Sequence, residues 1–295
     1  PSTGKLLLSI PTGTENDVDV AVTSARTAFD NGCWSDAPIS FKKQCLTRFA
    51  DGIQREQHAL DQLDAEEMGK PISESFANAQ SAADLVYFCA EAIDKINGDV
   101  FSSDGNSFVT QRRVPRGVVG AIAPWNFPTY NAVLKLAPAL AAGNCVVLKP
   151  SELSSRSAIL LAQLAMEAEI PPGVFSVLPG VGETVGKSLA LHMGVDMMTF
   201  TGSTQVGKLI LQYAGQSNMK PVITECGGKS PQIVFNDGVD LDVVADAVTH
   251  LILRNQGQVC SAGTRLLVQR DIAESLSDKI AKRFKQAIIG DPQSP

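Results

Sequence analysis

Residues 255–265 place a single thiol among small and polar side chains, in the sequence NQGQVCSAGTR. A cysteine that packs in a protein core usually lies in an apolar run. Here Gly257, Ala262 and Gly263 leave room for a small electrophile to approach Cys260. We therefore interpret Cys260 as a candidate nucleophile, while a small packing residue stays the alternative, because most free cysteines have no other role.

The other polar candidates each follow a predicted strand. The pairs of strand and residue are 118–123 with Asn126, 145–148 with Lys149 and Glu152, 197–200 with Gly202 and Ser203, and 221–224 with Glu225. The carboxyl ends of parallel strands meet at one edge of a sheet, where ligands of such sheets bind. The sequence therefore predicts that these side chains lie close together.

The elements that position these residues alternate between short apolar strands and helices of 10 to 15 residues, from Gly117 onward. This pattern is typical of parallel βαβ units. We predict an α/β fold with a doubly wound, Rossmann-like sheet and a β-hairpin.

A glycine-rich loop at 180–186, with the sequence GVGETVG, includes Gly182 and Gly186 and is one residue longer than the usual dinucleotide fingerprint. An ordinary turn is the alternative. Ser203 begins a predicted helix, whose N-terminal N–H groups and dipole favour a phosphate. Glu152 and Lys149 suit the hydroxyls of an adenosine ribose, and the carboxylate favours NAD over NADP. An exposed Lys149–Glu152 ion pair is the alternative.

Composition excludes several classes of partner. The 295 residues carry 25 basic and 31 acidic side chains, a net charge of −6, without a basic cluster, so neither nucleic acid nor an anionic membrane surface is an expected partner. No apolar run is long enough to span a bilayer. The six cysteines occur singly and the three histidines are far apart, which argues against structural zinc and favours a reducing, cytoplasmic compartment.

The N-terminal third reads as scaffold. Asp17 is predicted to cap a first helix, and one helical run is predicted from Ser40 to about Gly69. On that run Asp64 and Glu67 are interpreted as solvated surface. Two short apolar runs around residues 104–106 predict a β-hairpin, whose unpaired edges favour pairing with another subunit.

Five motifs taken together resemble the NAD(P)-dependent aldehyde dehydrogenase superfamily over essentially the whole chain. They are PWNFP at 124–128, KPSE at 149–152, FTGS at 200–203, ECGGKSP at 225–231 and GQVC at 257–260. Two further segments, 88–98 and 215–220, are most similar to the branch that oxidises ω-amino and γ-glutamylamino aldehydes. One departure is Cys226, where the family more often has leucine; we interpret it as a small packing residue.

The resemblance implies roles for individual residues. It makes Cys260 the nucleophile, Glu225 the general base and Asn126 the oxyanion-hole amide. It also places Ile122 and Trp125 in the cofactor cleft and Val206 against the adenine, beside Lys149, Glu152, Gly202 and Ser203. The expected ligands are NAD, or NADP, and a small aldehyde, and the expected assembly is a homo-oligomer, a dimer or tetramer.

The resemblance also implies the domain organisation. We expect residues 1–98 and 116–226 to form the NAD-binding domain, 99–115 the oligomerisation hairpin, and 227–295 the N-terminal part of the catalytic domain. The family continues beyond this point through a further motif and a terminal strand, so we expect the chain to be part of a longer polypeptide.

The predicted reaction oxidises an aldehyde to a carboxylic acid through a thiohemiacetal and a thioester on Cys260. Two alternatives stay open. In a CoA-acylating enzyme CoA would receive the acyl group, although a water-activating Glu225 counts against it. A homologue without activity would use the fold for structure or binding only.

Overall fold

The structure is a computed structural model that describes residues 1–75 and 78–294. Its helices are α1 (Glu15–Asp30), α2 (Ile39–Arg55), α3 (Gln57–Met68), α4 (Ile72–Ser75), α5 (Asn78–Ala92), α6 (Pro128–Ala141), α7 (Arg156–Glu167), α8 (Lys187–Leu191), α9 (Thr204–Gln216), α10 (Leu241–Leu253) and α11 (Arg270–Phe284). Its strands are β1 (Val100–Phe101), β2 (Val109–Thr110), β3 (Val118–Ile122), β4 (Cys145–Lys149), β5 (Phe175–Val177), β6 (Met197–Gly202), β7 (Val222–Cys226), β8 (Pro231–Val234) and β9 (Arg265–Val268).

A parallel five-stranded sheet in the order β5-β4-β3-β6-β7 confirms the predicted α/β, Rossmann-like fold. From β3 the chain winds outward through β4 to β5, and it then returns to place β6 on the other side of β3. The direction of winding therefore reverses between β3 and β6. The carboxyl ends of these two strands border the crevice where such sheets bind ligands.

Strands β3 and β4 are buried along their whole length, because helices cover both faces of the sheet. The main core extends from α1 to α9 and includes the fully buried Trp34. The indole N–H of Trp34 donates to the carbonyl of Leu140 at 2.9 Å, so its one polar atom is satisfied inside the core.

The predicted N-terminal helices are present, with two corrections. The N-cap of α1 is Thr14 rather than Asp17, because the Thr14 hydroxyl accepts the Asp17 N–H and the Asp17 carboxylate accepts the Thr14 N–H in a capping box. The single run predicted from Ser40 is two helices, α2 and α3, separated at Glu56. Residues 54–58 are all polar and offer no apolar side chain to bury a straight continuation.

The prediction that Asp64 and Glu67 are solvated surface is wrong. Asp64 is fully buried and Glu67 is half-buried. Helix α3 lies among α5, α6 and α7, which turns its polar stripe inward.

The predicted hairpin is present as the antiparallel pair of β1 and β2, with Phe101 opposite Val109. Beyond β7, strands β8 and β9 form a separate parallel pair, and α10 and α11 pack around a second, small core of Ala245, Val248, Leu276 and Ile280. This second cluster lies within the predicted catalytic segment 227–295. In the part of the chain that the structure describes, no helix combines the length and apolar character needed to cross a bilayer.

Candidate functional site

A cleft of about 620 Å³ lies at the carboxyl edge of the sheet. Every residue predicted for the site lines it: Ile122, Trp125, Asn126, Lys149, Glu152, Gly182, Gly186, Gly202, Ser203, Val206, Glu225 and Cys260. Its volume falls in the range of small-molecule and cofactor sites. The predicted thiol, carboxylate and amide therefore share one cavity with the predicted nucleotide-binding loops.

The loop before the thiol is held in a strained conformation. Asn255 and Gln256 have φ values of 49° and 59°, in the left-handed region that non-glycine residues rarely adopt. The fully buried Asn255 side-chain amide donates to the carbonyls of Asn126 and Gln258, at 3.0 and 3.2 Å. These bonds tie the loop that carries Cys260 to the loop that carries Asn126.

Asn126 follows β3 and precedes α6. Its side-chain Nδ2 donates to the carbonyl of Gln258 at 2.7 Å, two residues before the thiol. A carboxamide nitrogen carries two hydrogens, so one N–H remains for a second acceptor. The amide thus has a fixed position beside the loop of Cys260 and retains a donor.

Glu225 lies in the edge strand β7, opposite Thr201 of β6, and is exposed toward the cleft. The nearby Lys135 of α6 is only 7% exposed, and its Nζ donates to the Thr201 hydroxyl at 2.6 Å. Burial lowers the pKa of Lys135 to about 8, and the negative charge of Glu225 opposes that shift. A buried cation is therefore electrostatically coupled to the predicted base.

Lys149 and Glu152 form an ion pair, but not the fully exposed one of the alternative interpretation. Lys149 is buried, and its Nζ donates to the carbonyl of Pro150 at 2.8 Å and to Glu152 at 3.2 Å. Burial lowers the pKa of Lys149, and the Glu152 carboxylate opposes this. The half-exposed carboxylate of Glu152 therefore lies at the cleft and is held by the buried ammonium of Lys149.

Local structure explains why glycine occupies several positions in the cleft. Gly182–Gly186 forms a π-helical turn, whose wider ring accommodates the extra residue of the GxGxxxG spacing. A Cβ atom at Gly202 would lie 2.6 Å from the Phe200 ring, so only glycine fits there. Ser203 caps the 13-residue helix α9 by accepting the Val206 N–H at 3.2 Å. The N-terminus of α9, next to the backbone of Gly202, is suited to bind a pyrophosphate.

The model of the aldehyde dehydrogenase family matches residues 1–295. The chain belongs to the aldehyde dehydrogenase family. The match agrees with the family resemblance of the five motifs, each of which contributes residues to the cleft.

Solved aldehyde dehydrogenase structures are similar to this chain over 98% of its length and 59% of theirs, each with a TM-score of 0.95. They are the aldehyde dehydrogenase KauB from Pseudomonas aeruginosa at 48% identity, the indole-3-acetaldehyde dehydrogenase AldA from P. syringae in complex with NAD+ and IAA at 46%, and gamma-glutamyl-gamma-aminobutyraldehyde dehydrogenase from Burkholderia cenocepacia J2315 at 46%. The chain spans 57 to 60% of the length of the first curated relatives it matches.

Two residues of the aldehyde dehydrogenase cleft region were missed from the sequence. Lys135 lies in an apolar helix, and a lysine between Leu134 and Leu136 was the available signal that something unusual is buried there. Asn255 gave no such signal, because its contacts with Asn126 depend on residues 129 positions apart.

Proposed function

We propose that this chain is the cofactor-binding and nucleophile-bearing part of an NAD-dependent aldehyde dehydrogenase, which converts an aldehyde to a carboxylic acid. The observation that carries the proposal is that Cys260, Glu225 and Asn126 line the same cleft as Lys149 and Ser203. An electrophile bound at the thiol would thus lie beside a bound nucleotide.

NAD suits the cleft because each of its polar parts meets a matching group. The N-terminus of α9 at Ser203 and the glycines at 182 and 202 would hold the pyrophosphate, and Glu152 and Lys149 the adenosine ribose. Ile122 and Val206 supply apolar walls. When bound, NAD supplies the acceptor for the two electrons and the hydrogen that the aldehyde loses. Solved relatives in complex with NAD support this choice.

Cys260 would attack the carbonyl carbon as thiolate, forming the C–S bond of a thiohemiacetal. The carbonyl oxygen then carries the negative charge. The free N–H of the Asn126 amide and the backbone N–H of Cys260 are its candidate donors. Loss of one such donor costs about 100- to 1000-fold in rate. Loss of the aldehyde hydrogen with its electron pair leaves a thioester on Cys260.

Glu225 would then remove a proton from water as the water oxygen adds to the thioester. The C–S bond breaks, the carboxylic acid leaves and the thiolate is regenerated. We assign Lys135 to the support of this step, because its buried ammonium is electrostatically coupled to the Glu225 carboxylate and donates to the hydroxyl of Thr201, the residue opposite Glu225.

For the substrate, we propose an aldehyde with an ω-amino or γ-glutamylamino group. The similarity to gamma-glutamyl-gamma-aminobutyraldehyde dehydrogenase supports this. Because the identity to an indole-3-acetaldehyde dehydrogenase is equal, aromatic aldehydes are the substrates against which amino aldehydes should be compared. We further propose a homo-oligomer in a reducing compartment such as the cytoplasm, where Cys260 stays a thiol.

The intact polypeptide should reduce NAD in the presence of an aldehyde, measured as NADH absorbance over a panel of aliphatic, aromatic and amino aldehydes. Cys260→Ala should abolish NADH formation and leave NAD binding unchanged, because the thiol is needed only for chemistry. Glu225→Gln should release one equivalent of NADH in a burst and then turn over slowly, because the thioester forms but is hydrolysed poorly.

Cys33→Ala is the matched control, since it removes another half-buried thiol away from the cleft. It should leave turnover unchanged. A fully active Cys260→Ala protein contradicts the proposed mechanism. Addition of CoA gives a second arm: accumulation of acyl-CoA would assign the chain to acylating oxidation instead.

A further inference from the structure

Helix α3 carries four acidic residues, and three of them, Asp61, Asp64 and Glu67, lie at a spacing of three residues on one face. Asp61 and Asp64 have no exposed surface, and Glu67 is half-buried. We call these three residues the acidic stripe. Carboxylates in such surroundings need donors, and each member of the stripe finds them in the first turn of a different helix.

Two of those helices are α6 and α7. Asp64 accepts both the backbone N–H and the hydroxyl of Thr129, the second residue of α6, at 3.2 and 3.0 Å. Both Glu67 oxygens accept the backbone N–H of Arg156, the first residue of α7, at 3.3 and 3.1 Å. A carboxylate at a helix N-terminus satisfies free N–H groups and complements the helix dipole.

Neither helix has a cap from its own sequence. The N-cap residues Phe127 of α6 and Ser155 of α7 make no side-chain capping bond. In contrast, α1, α9 and α10 are capped by the local side chains Thr14, Ser203 and Asp240. The acidic stripe of α3 thus supplies the side-chain acceptors that the N-termini of α6 and α7 lack.

These two helix starts adjoin the two halves of the cleft. Helix α6 begins two residues after Asn126, and α7 begins four residues after Glu152. The C-terminal end of the same α3 also contacts the nucleophile loop, because the Gly69 carbonyl accepts a hydrogen bond from the Gln256 side chain. One helix therefore bonds to segments that adjoin three of the loops that line the cleft.

We propose that Asp64 and Glu67 are separate positioning residues for the proposed oxidation, with Asp64 holding the loop of Asn126 and Glu67 the loop of Glu152. The inference rests on the proposed function. Asp64 then acts on the chemical step and Glu67 on cofactor affinity, because Asp64 accepts the backbone N–H at the start of α6 and Glu67 accepts the one at the start of α7.

Asp61 provides a matched control within the stripe. It is as buried as Asp64 and accepts the N–H of Ala79, in the first turn of α5 at 3.2 Å. No residue of α5 lines the cleft. Removal of a buried carboxylate should lower the stability of all three alanine variants. Displacement of a cleft loop should occur only in Asp64→Ala and Glu67→Ala.

The test compares Asp64→Ala, Glu67→Ala and Asp61→Ala in the intact polypeptide. Amide hydrogen exchange should become about fivefold faster in residues 124–131 for Asp64→Ala and in 149–157 for Glu67→Ala, with little change in the other segment. The NADH burst rate should fall about 10- to 100-fold in Asp64→Ala at unchanged NAD affinity. Glu67→Ala should weaken NAD binding about fivefold and keep the burst rate at saturating NAD.

Asp64→Asn and Glu67→Gln retain an acceptor oxygen for the N–H and should restore most of the lost function. If Asp64→Ala does not fold, Thr129→Val removes one of the two bonds and should give the same local effect at smaller amplitude. Parallel changes in both segments, or the same kinetic changes in Asp61→Ala, would overturn the inference. An unaltered protein that forms no NADH would instead refute the proposed oxidation, and hydrogen exchange would still test the two loops.

Discussion

The charge of Glu152 is the feature of the cleft that we expect to discriminate between NAD and NADP. Its carboxylate lies 3.2 Å from Nζ of the buried Lys149 and is half-exposed toward the cleft. Two hydroxyls of an adenosine ribose can donate to such a carboxylate, whereas a 2′-phosphate would be repelled by it. The choice between NAD and NADP is therefore predicted to depend on the charge at this position.

Glu152→Gln should shift the preference toward NADP by about tenfold, measured as the ratio of the dissociation constants for NAD and NADP. The substitution removes the repelling charge and leaves the Lys149 ammonium unpaired beside the phosphate. Glu183→Gln is the control and should shift the ratio less, because Glu183 acts on Lys149 through its charge, whereas Glu152 also accepts a hydrogen bond from it. An unchanged ratio in Glu152→Gln would place the adenosine ribose elsewhere.

At the scale of elements, α3 is a helix whose polar face is buried. Burial raises the pKa of Asp61 to about 6 and those of Asp64 and Glu67 to about 7. The groups that oppose these shifts are the hydrogen-bond donors and cations that face the stripe, namely Gln57, His58, Lys70, Ala79, Thr129, Ser155, Arg156 and Ser157. The charged form of the stripe is thus disfavoured in the fold relative to water.

This gives stability a defined dependence on pH. Because the folded-state pKa of Asp64 lies above its unfolded value of 3.8, its favourable contribution is complete below pH 4 and is lost as the pH rises through about 7. Asp64→Asn stays neutral, so the unfolding free energy of the unaltered protein minus that of the variant should be larger at pH 5 than at pH 8. Urea unfolding followed by circular dichroism measures both, and an equal difference at the two pH values would contradict the prediction.

At the scale of the whole molecule, the β1–β2 hairpin exposes apolar side chains. Val100, Phe101, Phe108 and Val109 are all exposed, and among the described residues the two short strands pair only with each other. Exposed apolar residues on an unpaired edge are typical of a surface that another subunit covers. The role of residues 99–115 in oligomerisation stays a prediction.

If the proposed homo-oligomer forms through this hairpin, Phe101→Lys together with Phe108→Lys should reduce its mass in sedimentation experiments, because two charges on the apolar face oppose burial against a second subunit. NAD affinity should persist, since no residue of the hairpin lines the cleft. Phe88→Lys changes another exposed phenylalanine, on α5 at 70% exposure, and should leave the mass unchanged. An unaffected mass in the double variant would assign the interface to a different surface.

The features that the sequence determined by itself are local, or follow from a rule of parallel sheets. Apolar strands alternating with helices predicted the α/β fold, and polar residues after each strand predicted a shared edge. The structure brings all of them to one cleft. The reason is geometric, because the carboxyl ends of parallel strands meet wherever the strands pair.

Only the tertiary structure decided which polar residues are buried. Asp64 and Glu67 look like helix surface in the sequence, and Lys135 and Asn255 like isolated polar residues. Their buried partners include residues 65 or more positions away, as in the bond from Thr129 to Asp64. The partners of these groups and their electrostatic coupling depend on such long-range packing, and no local pattern of residue types encodes them.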